Sequence, residues 1–98
     1  MWQFETEPEF QSKLDWMTDF VREEIEPLDY LFPKDETYNV KNAALMHIMA
    51  PLKQRVRDAG LWACHLPPAL GGGGWGQLKL ALMNEILGRS FFAPTIFG

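Results

Sequence analysis

Cysteine and histidine are the side chains of this sequence best suited to metal binding or nucleophilic catalysis. Cys64 and His65 are neighbours, and His47 lies further upstream. Together they could supply three metal ligands, but their spacing is not that of a recognisable zinc site. In an extended segment, adjacent side chains point to opposite faces, which disfavours a thiolate–imidazole pair between Cys64 and His65. We therefore interpret all three as packing residues.

A glycine-rich run is the second feature that could do chemistry. Gly71, Gly73 and Gly76 fit the pattern G-x-G-x-x-G and lead into a helix, whose N-terminus favours anions. The preceding HLPPAL is too short and too rich in proline for a buried strand. No acidic residue follows at the distance expected for a ribose contact. The run is thus interpreted as a structural crossover.

Glu85 is the one acidic residue in an apolar helical segment, a setting that can raise a carboxyl pKa and favour acid–base catalysis. Arg89 lies one helical turn later and could neutralise it. We predict a structural ion pair between the two. None of these residues, taken alone, makes an active site, and we predict no catalytic, cofactor-binding or metal-binding residue in the chain.

Composition limits the classes of protein to consider. The chain has 98 residues, 47% of them hydrophobic and 22% charged, which predicts one soluble domain. A single cysteine forms no internal disulfide, so we expect a cytoplasmic location. No apolar run approaches the roughly 18 residues of a membrane span. Residues 1–36 hold eleven acids against three bases, and the few basic residues that follow predict a solvated helix face rather than a nucleic-acid site.

The first helix is predicted over residues 7–26. Thr6 and Glu9 have the spacing of a capping box, and Pro27 should end the helix because its ring clashes with the preceding turn. Trp16 and Phe20 form a flanking strip, which suggests contact with another element or another chain. A core-facing stripe repeats at helical spacing and comprises Phe10, Leu14, Met17, Val21 and Ile25.

Residues 27–40 have no sustained period and are predicted to be an ordered connection whose apolar side chains pack across the helices. A second helical pattern covers residues 41–59. Pro51 lies in its middle, and we predict a break there. Gly60 suits the left-handed position of a Schellman cap, which would fold Leu61 back on Val56.

The last helix is predicted over residues 76–89, and the whole chain is predicted to be all-α. Apolar side chains cover roughly 200° of this helix, so it should have partners on two sides. Residues 91–97 are very apolar for a terminus, and we expect them to lie against protein that is not present. The apolar positions of the helix are Leu78, Leu80, Leu82, Met83, Ile86 and Leu87.

The order of these motifs resembles the N-terminal helical domain of the flavin-dependent acyl-CoA dehydrogenases, and the resemblance covers essentially the whole chain. Each motif is weak by itself, but their order and spacing together are fairly specific. The residues that carry it are Phe10, Arg22-Glu23-Glu24-Ile25-Glu26-Pro27, Gly60-Leu61-Trp62, Leu66-Pro67-Pro68, Gly71-Gly72, Asn84-Glu85-Ile86-Leu87-Gly88-Arg89-Ser90 and Ala93-Pro94.

The resemblance implies a small orthogonal helical bundle over residues 1–98, the incomplete N-terminal part of a larger enzyme. The complete enzymes bind FAD and oxidise an acyl-CoA thioester between Cα and Cβ, with a glutamate removing the α proton and the flavin accepting hydride. That glutamate and the main flavin contacts would follow residue 98. The resemblance therefore implies a scaffold that helps to wall the acyl pocket, binds no FAD alone, and has the rest of the enzyme or a homo-oligomer as partner.

A second hypothesis is a stand-alone helical interaction module derived from that domain. It would bind its partner through Trp16, Phe20 and the apolar tail at residues 91–97. The reading frame beyond Gly98 separates the two hypotheses, because a following β-domain favours the enzyme and a stop favours the module.

Overall fold

The computed structural model describes residues 8–63 and 76–98, and that part of the chain contains helices and turns but no strand. The predicted all-α class is confirmed there. Thr6 of the predicted capping box lies outside the described residues. The helices are α1 (Pro8–Phe20), α2 (Glu26–Leu31), α3 (Ala43–Asp58), α4 (Gln77–Leu87) and α5 (Ala93–Ile96), with a π-helical turn at Val21–Ile25 and a 3₁₀ turn at Lys34–Tyr38.

The apolar stripe of the first helix faces the core, as predicted. All five of its residues are buried, with Met17, Val21 and Ile25 fully so. Spacings of three and four keep these side chains on one face of a helix, and the same face contacts α4. Burial of this stripe fixes which side of α1 the rest of the fold covers.

The prediction that Pro27 ends the first helix is wrong. The chain remains helical to Leu31, because a π turn lies between α1 and α2. In that turn the N–H of Glu26 donates to the carbonyl of Val21, five residues earlier. Pro27 then lies in the first turn of α2, where a backbone N–H makes no α-helical hydrogen bond. Proline therefore loses no such bond at this position.

The segment predicted as a connection, residues 27–40, is therefore partly helical. It contains most of α2 and the 3₁₀ turn, which ends where Asn39 N–H donates to Glu36 O at 3.0 Å. Leu28 is buried and Phe32 is half-buried, as expected for side chains that pack on the helices. Tyr30 and Leu31 are 90% and 68% exposed, so the prediction that they pack across the helices is wrong.

The predicted break at Pro51 is also wrong, because α3 runs through it. The helix begins after Asn42, whose side-chain oxygen accepts a hydrogen bond from Leu45 N–H at 3.1 Å. The ring of Pro51 is exposed. Buried residues on both sides of the proline lie on one helix face, and their packing offsets the backbone hydrogen bond that proline cannot make. These buried residues are Leu45, Met49, Leu52 and Val56.

The C-terminal end of α3 has the predicted Schellman geometry. Gly60 is left-handed with φ +75°. The N–H of Leu61 donates to Val56 O at 3.1 Å, and that of Gly60 donates to Arg57 O at 3.0 Å. Leu61 and Val56 are both fully buried. This cap turns the chain back toward the core.

The last predicted helix corresponds to α4, which packs on the core through part of its apolar surface and contacts α1. Met83 and Ile86 are buried, whereas Leu78 is 54% exposed. Gly88 follows the helix with φ −68°, so it is right-handed and does not repeat the cap of Gly60. Three further leucines of this helix are partly buried against the core, namely Leu80, Leu82 and Leu87.

The C-terminal segment, residues 90–98, folds back on the chain, so the expectation that its apolar residues lie against protein that is not present is wrong. Its helix α5 contacts α3. The carbonyl of Phe97 accepts a hydrogen bond from Ala63 N–H at 2.7 Å. Phe91 alone among its large apolar side chains is exposed, at 60%. The others lie in the core with exposures of 0–3%, and they are Phe92, Ile96 and Phe97.

Candidate functional site

The residues with nucleophilic or metal-binding chemistry do not form a site in the described part of the chain. His47 is exposed on α3, so its interpretation as a packing residue is wrong. Cys64 and His65 lie outside the described residues, as does the glycine run up to Gly74. Within residues 8–63 and 76–98, no three His, Cys, Asp or Glu side chains are grouped to hold a metal ion.

The predicted ion pair between Glu85 and Arg89 is absent. Both side chains are exposed on the outer face of α4 and the turn that follows. Three ion pairs are found among the described residues, and they involve Arg22 or Arg55 but not Arg89. Glu85 therefore lies in solvent, and its environment provides none of the burial that would favour acid–base catalysis.

The arginines near the end of α3 lie on aromatic rings of the same chain. The guanidinium of Arg55 is 4.7 Å from the ring centroid of Phe20, and that of Arg57 is 4.1 Å from the ring of Trp62. Arg55 also lies 3.5 Å from a carboxylate oxygen of Glu24. Both arginines remain exposed, as the sequence predicted, but each covers an apolar surface.

The flanking aromatic strip of α1 finds its partner within the chain. Trp16 stacks on Phe20 with ring centroids 4.6 Å apart and an interplanar angle of 12°. The ring of Phe20 also meets Phe97 edge-on at 6.0 Å. Of the two predicted alternatives, contact with another element is the one observed. Phe20 is only 3% exposed, so it is not available to another chain.

A polar cluster fastens the C-terminal segment to α2. Asp29 Oδ1 accepts a hydrogen bond from the Ser90 hydroxyl at 2.9 Å and another from Phe91 N–H at 3.1 Å. The oxygen of Ser90 in turn accepts from Phe92 N–H at 3.1 Å. Ser90 is buried, with 6% exposure. This cluster, which we call the Asp29 clamp, positions the turn from which α5 begins.

An apolar pocket of about 170 Å³ lies where α1, α4 and the C-terminal segment meet. Asn84 supplies the one side-chain amide among its described lining residues, and no charged side chain is among them. The arrangement therefore suits binding of an apolar group better than proton transfer or nucleophilic attack. The lining residues are Met17, Leu61, Leu80, Met83, Asn84, Leu87, Pro94, Phe97 and Gly98.

Sequence reasoning did not locate this pocket. One signal pointed toward it, because the wide apolar surface of α4 predicted partners on two sides of that helix. The other walls come from Met17, from Leu61 after the Schellman cap, and from the folded-back tail. These walls come together only in the tertiary fold. The fold-back of the tail, which the sequence analysis did not predict, contributes most to it.

In the described part of the chain, no helix is both long enough and apolar enough to cross a bilayer. Comparisons of the chain with models of protein families, with curated proteins and with solved structures gave no match.

Proposed function

We propose that this chain is the N-terminal helical segment of a flavin-dependent acyl-CoA dehydrogenase, and that it serves as a scaffold beside the acyl pocket. Support for this family comes from the sequence motifs, whose order resembles that of the acyl-CoA dehydrogenases. It extends to the finer fold, an orthogonal helical bundle, and to FAD and acyl-CoA as cofactor and substrate of the complete enzyme. The chain alone is inert and binds no FAD.

One observation supports the scaffold role in particular. The motif from Asn84 to Pro94 forms the end of α4 and the start of α5. Between them it supplies Ser90 and Phe91, the donors of the Asp29 clamp. Its residues join helices, and its one acid, Glu85, is exposed. A motif used in this way positions neighbouring elements and takes no part in breaking a C–H bond.

The test is to determine the native reading frame beyond Gly98, to express the protein that it encodes, and to measure flavin absorbance and acyl-CoA oxidation with an artificial electron acceptor. A flavin-containing product that oxidises an acyl-CoA supports the proposal. A native stop codon after Gly98 contradicts it. Flavin that copurifies with the 98-residue chain contradicts the claim that the cofactor site lies elsewhere.

The scaffold role has its own test in that longer protein. Glu85→Gln is expected to leave turnover essentially unchanged, because Glu85 lies in solvent. A fall of about 10²-fold or more, the contribution typical of a general acid or base, would instead make Glu85 catalytic. Glu9→Gln, at an exposed position of α1, serves as a matched control for loss of a surface carboxylate.

A second candidate function is a helical module that binds another copy of itself. The surface first predicted for it is covered, since Phe20 and most of the tail are buried. Three other large apolar side chains are exposed, namely Tyr30 and Leu31 on α2 and Phe91, whose backbone the Asp29 clamp holds next to α2. Exposed apolar surface can mark an interaction site.

Sedimentation velocity over a concentration series tests the second candidate. Self-association that Leu31→Glu abolishes and Leu78→Glu preserves would support it, because Leu78 is also exposed but lies on α4. A monomer at every concentration would exclude this homo-oligomeric role.

A further inference from the structure

We propose that the pocket between α1, α4 and the C-terminal segment binds a small uncharged aromatic molecule the size of benzene or toluene. The inference rests on the shape and lining of the pocket alone. It does not depend on the proposed relationship to acyl-CoA dehydrogenases.

Volume sets the size of the ligand. The pocket measures about 170 Å³. A closed apolar cavity of about 150 Å³ takes up benzene, so the volume here is large enough for one ring. Unlike that cavity, this pocket opens toward solvent beside the exposed residues Asn84, Pro94 and Gly98. Drug-sized ligands occupy sites of about 300–1,000 Å³. One ring with a methyl substituent therefore matches the space, whereas a complete flavin or CoA does not.

The lining sets the chemical class. Met17 and Met83 are fully buried, and their polarizable thioethers make favourable contacts with aromatic rings. Phe97 adds a ring that can pair with the ligand edge-to-face. A charged ligand would lose hydration and meet no opposite charge among the described lining residues. Asn84 is the polar side chain available to a neutral hydroxyl or amine substituent.

The walls are held by contacts outside the pocket, which favours a preformed site. Leu61 is fixed by the Schellman hydrogen bond to Val56, and Phe97 by the bond from Ala63. Phe97 is also held by its edge-on contact with Phe20. Because these contacts hold the walls in place without a ligand, binding should cost little of the usual ordering entropy.

Titration of the 98-residue chain with toluene tests the proposal, with benzoate and benzylammonium as charged controls of similar size. The methyl NMR signals of Met17 and Met83 should shift saturably with toluene and remain unchanged with either ion. The signals of Met46, a partly buried methionine of α3 outside the pocket, provide an internal reference. Absence of a saturable shift at Met17 and Met83, or equal binding of the charged controls, would overturn the proposal.

A pair of substitutions locates the ligand. Asn84→Trp places a large ring at the pocket and should weaken toluene binding at least about tenfold, as expected when an apolar site loses space for its ligand. Glu85→Trp adds the same ring at the adjacent exposed position, outside the lining, and should leave the affinity unchanged. If Asn84→Trp does not fold, Leu80→Phe carries the same expectation. Equal affinity in the pocket variant and in the Glu85 control would contradict the assignment.

Discussion

At the scale of single residues, one carboxylate joins parts of the chain that are 61 residues apart. Asp29 accepts hydrogen bonds from both the side chain of Ser90 and the backbone of Phe91. Its loss would leave the hydroxyl of a buried serine without this acceptor. Because the clamp lies just before the buried Phe92, it also sets the register in which the tail meets the core.

We predict that Asp29→Ala lowers the free energy of unfolding by about 1–3 kcal/mol, the range for losing a buried hydrogen-bond partner. Asp29→Asn should lose less, since its amide oxygen can still accept from Ser90. The measurement is chemical denaturation followed by circular dichroism. Asp35→Ala, at an exposed position, should change stability by no more than about 0.5 kcal/mol. An equal loss of unfolding free energy in the Asp29 and Asp35 variants would show that the Asp29 clamp does not stabilise the fold.

Gly60 and Gly88 both follow helix ends, but only Gly60 has a left-handed backbone conformation, which favours glycine. Gly60 has φ +75°, and a methyl group there would meet Lys13 Nζ at an ordinary 3.8 Å, so backbone strain alone opposes a side chain. We predict that Gly60→Ala costs about 1–2 kcal/mol, the penalty for a left-handed non-glycine residue. Gly88→Ala should be neutral or stabilising by up to about 1 kcal/mol, because its φ is −68°. Thermal unfolding of both variants measures the difference, and losses of equal size would contradict this reasoning.

At the scale of elements, the two helical prolines are accommodated in different ways. Pro27 follows a π turn and enters a new first helical turn, so the chain avoids the clash. Pro51 stays inside α3, where it removes the hydrogen bond that its N–H would donate to His47 O. The first solution changes backbone geometry, whereas the second depends on packing of the buried face.

We predict that Pro51→Ala raises the free energy of unfolding by about 1–3 kcal/mol, because it restores a helical hydrogen bond at an exposed position. Pro33→Ala is the control. Pro33 has extended geometry outside a helix, so its replacement should lower stability by about 0.4–1 kcal/mol through greater freedom of the unfolded chain. Thermal unfolding gives both values, and destabilisation by Pro51→Ala would show that the proline contributes packing that outweighs the lost bond.

At the scale of the whole molecule, the core is closed by the C-terminal segment. Phe92, Ile96 and Phe97 are buried, α5 contacts α3, and the ring of Phe97 meets that of Phe20 on α1. Phe97 also forms part of the pocket and of the aromatic contact with Phe20. The tail thus completes the core and the candidate site together.

Adjacent phenylalanines provide a test of this closure. We predict that Phe92→Ala lowers the free energy of unfolding by about 3–5 kcal/mol, the usual loss for a fully buried phenylalanine. Phe91→Ala should lose less than about 1 kcal/mol, since Phe91 is 60% exposed and its ring makes a cation–π contact with Lys34 Nζ, 5.6 Å from the centroid. Urea denaturation compares the two. Similar losses would contradict the burial of the tail.

Local patterns in the sequence were sufficient for several features. The helical class, the buried stripe of α1 and the cap at Gly60 and Leu61 were predicted correctly in the described residues. Each depends on neighbours within about one or two turns, where spacing determines which side chains share a face and where glycine permits a left-handed turn. Such features follow from the order of residues alone.

Only the tertiary structure decided whether the prolines break their helices and where the tail lies. A proline can be tolerated when burial on both sides offsets its lost hydrogen bond, and that burial depends on distant elements. The apolar tail could cover its own core or another protein, because its composition fits either. The pocket follows from that choice, because the folded-back tail supplies Pro94, Phe97 and Gly98 to its lining.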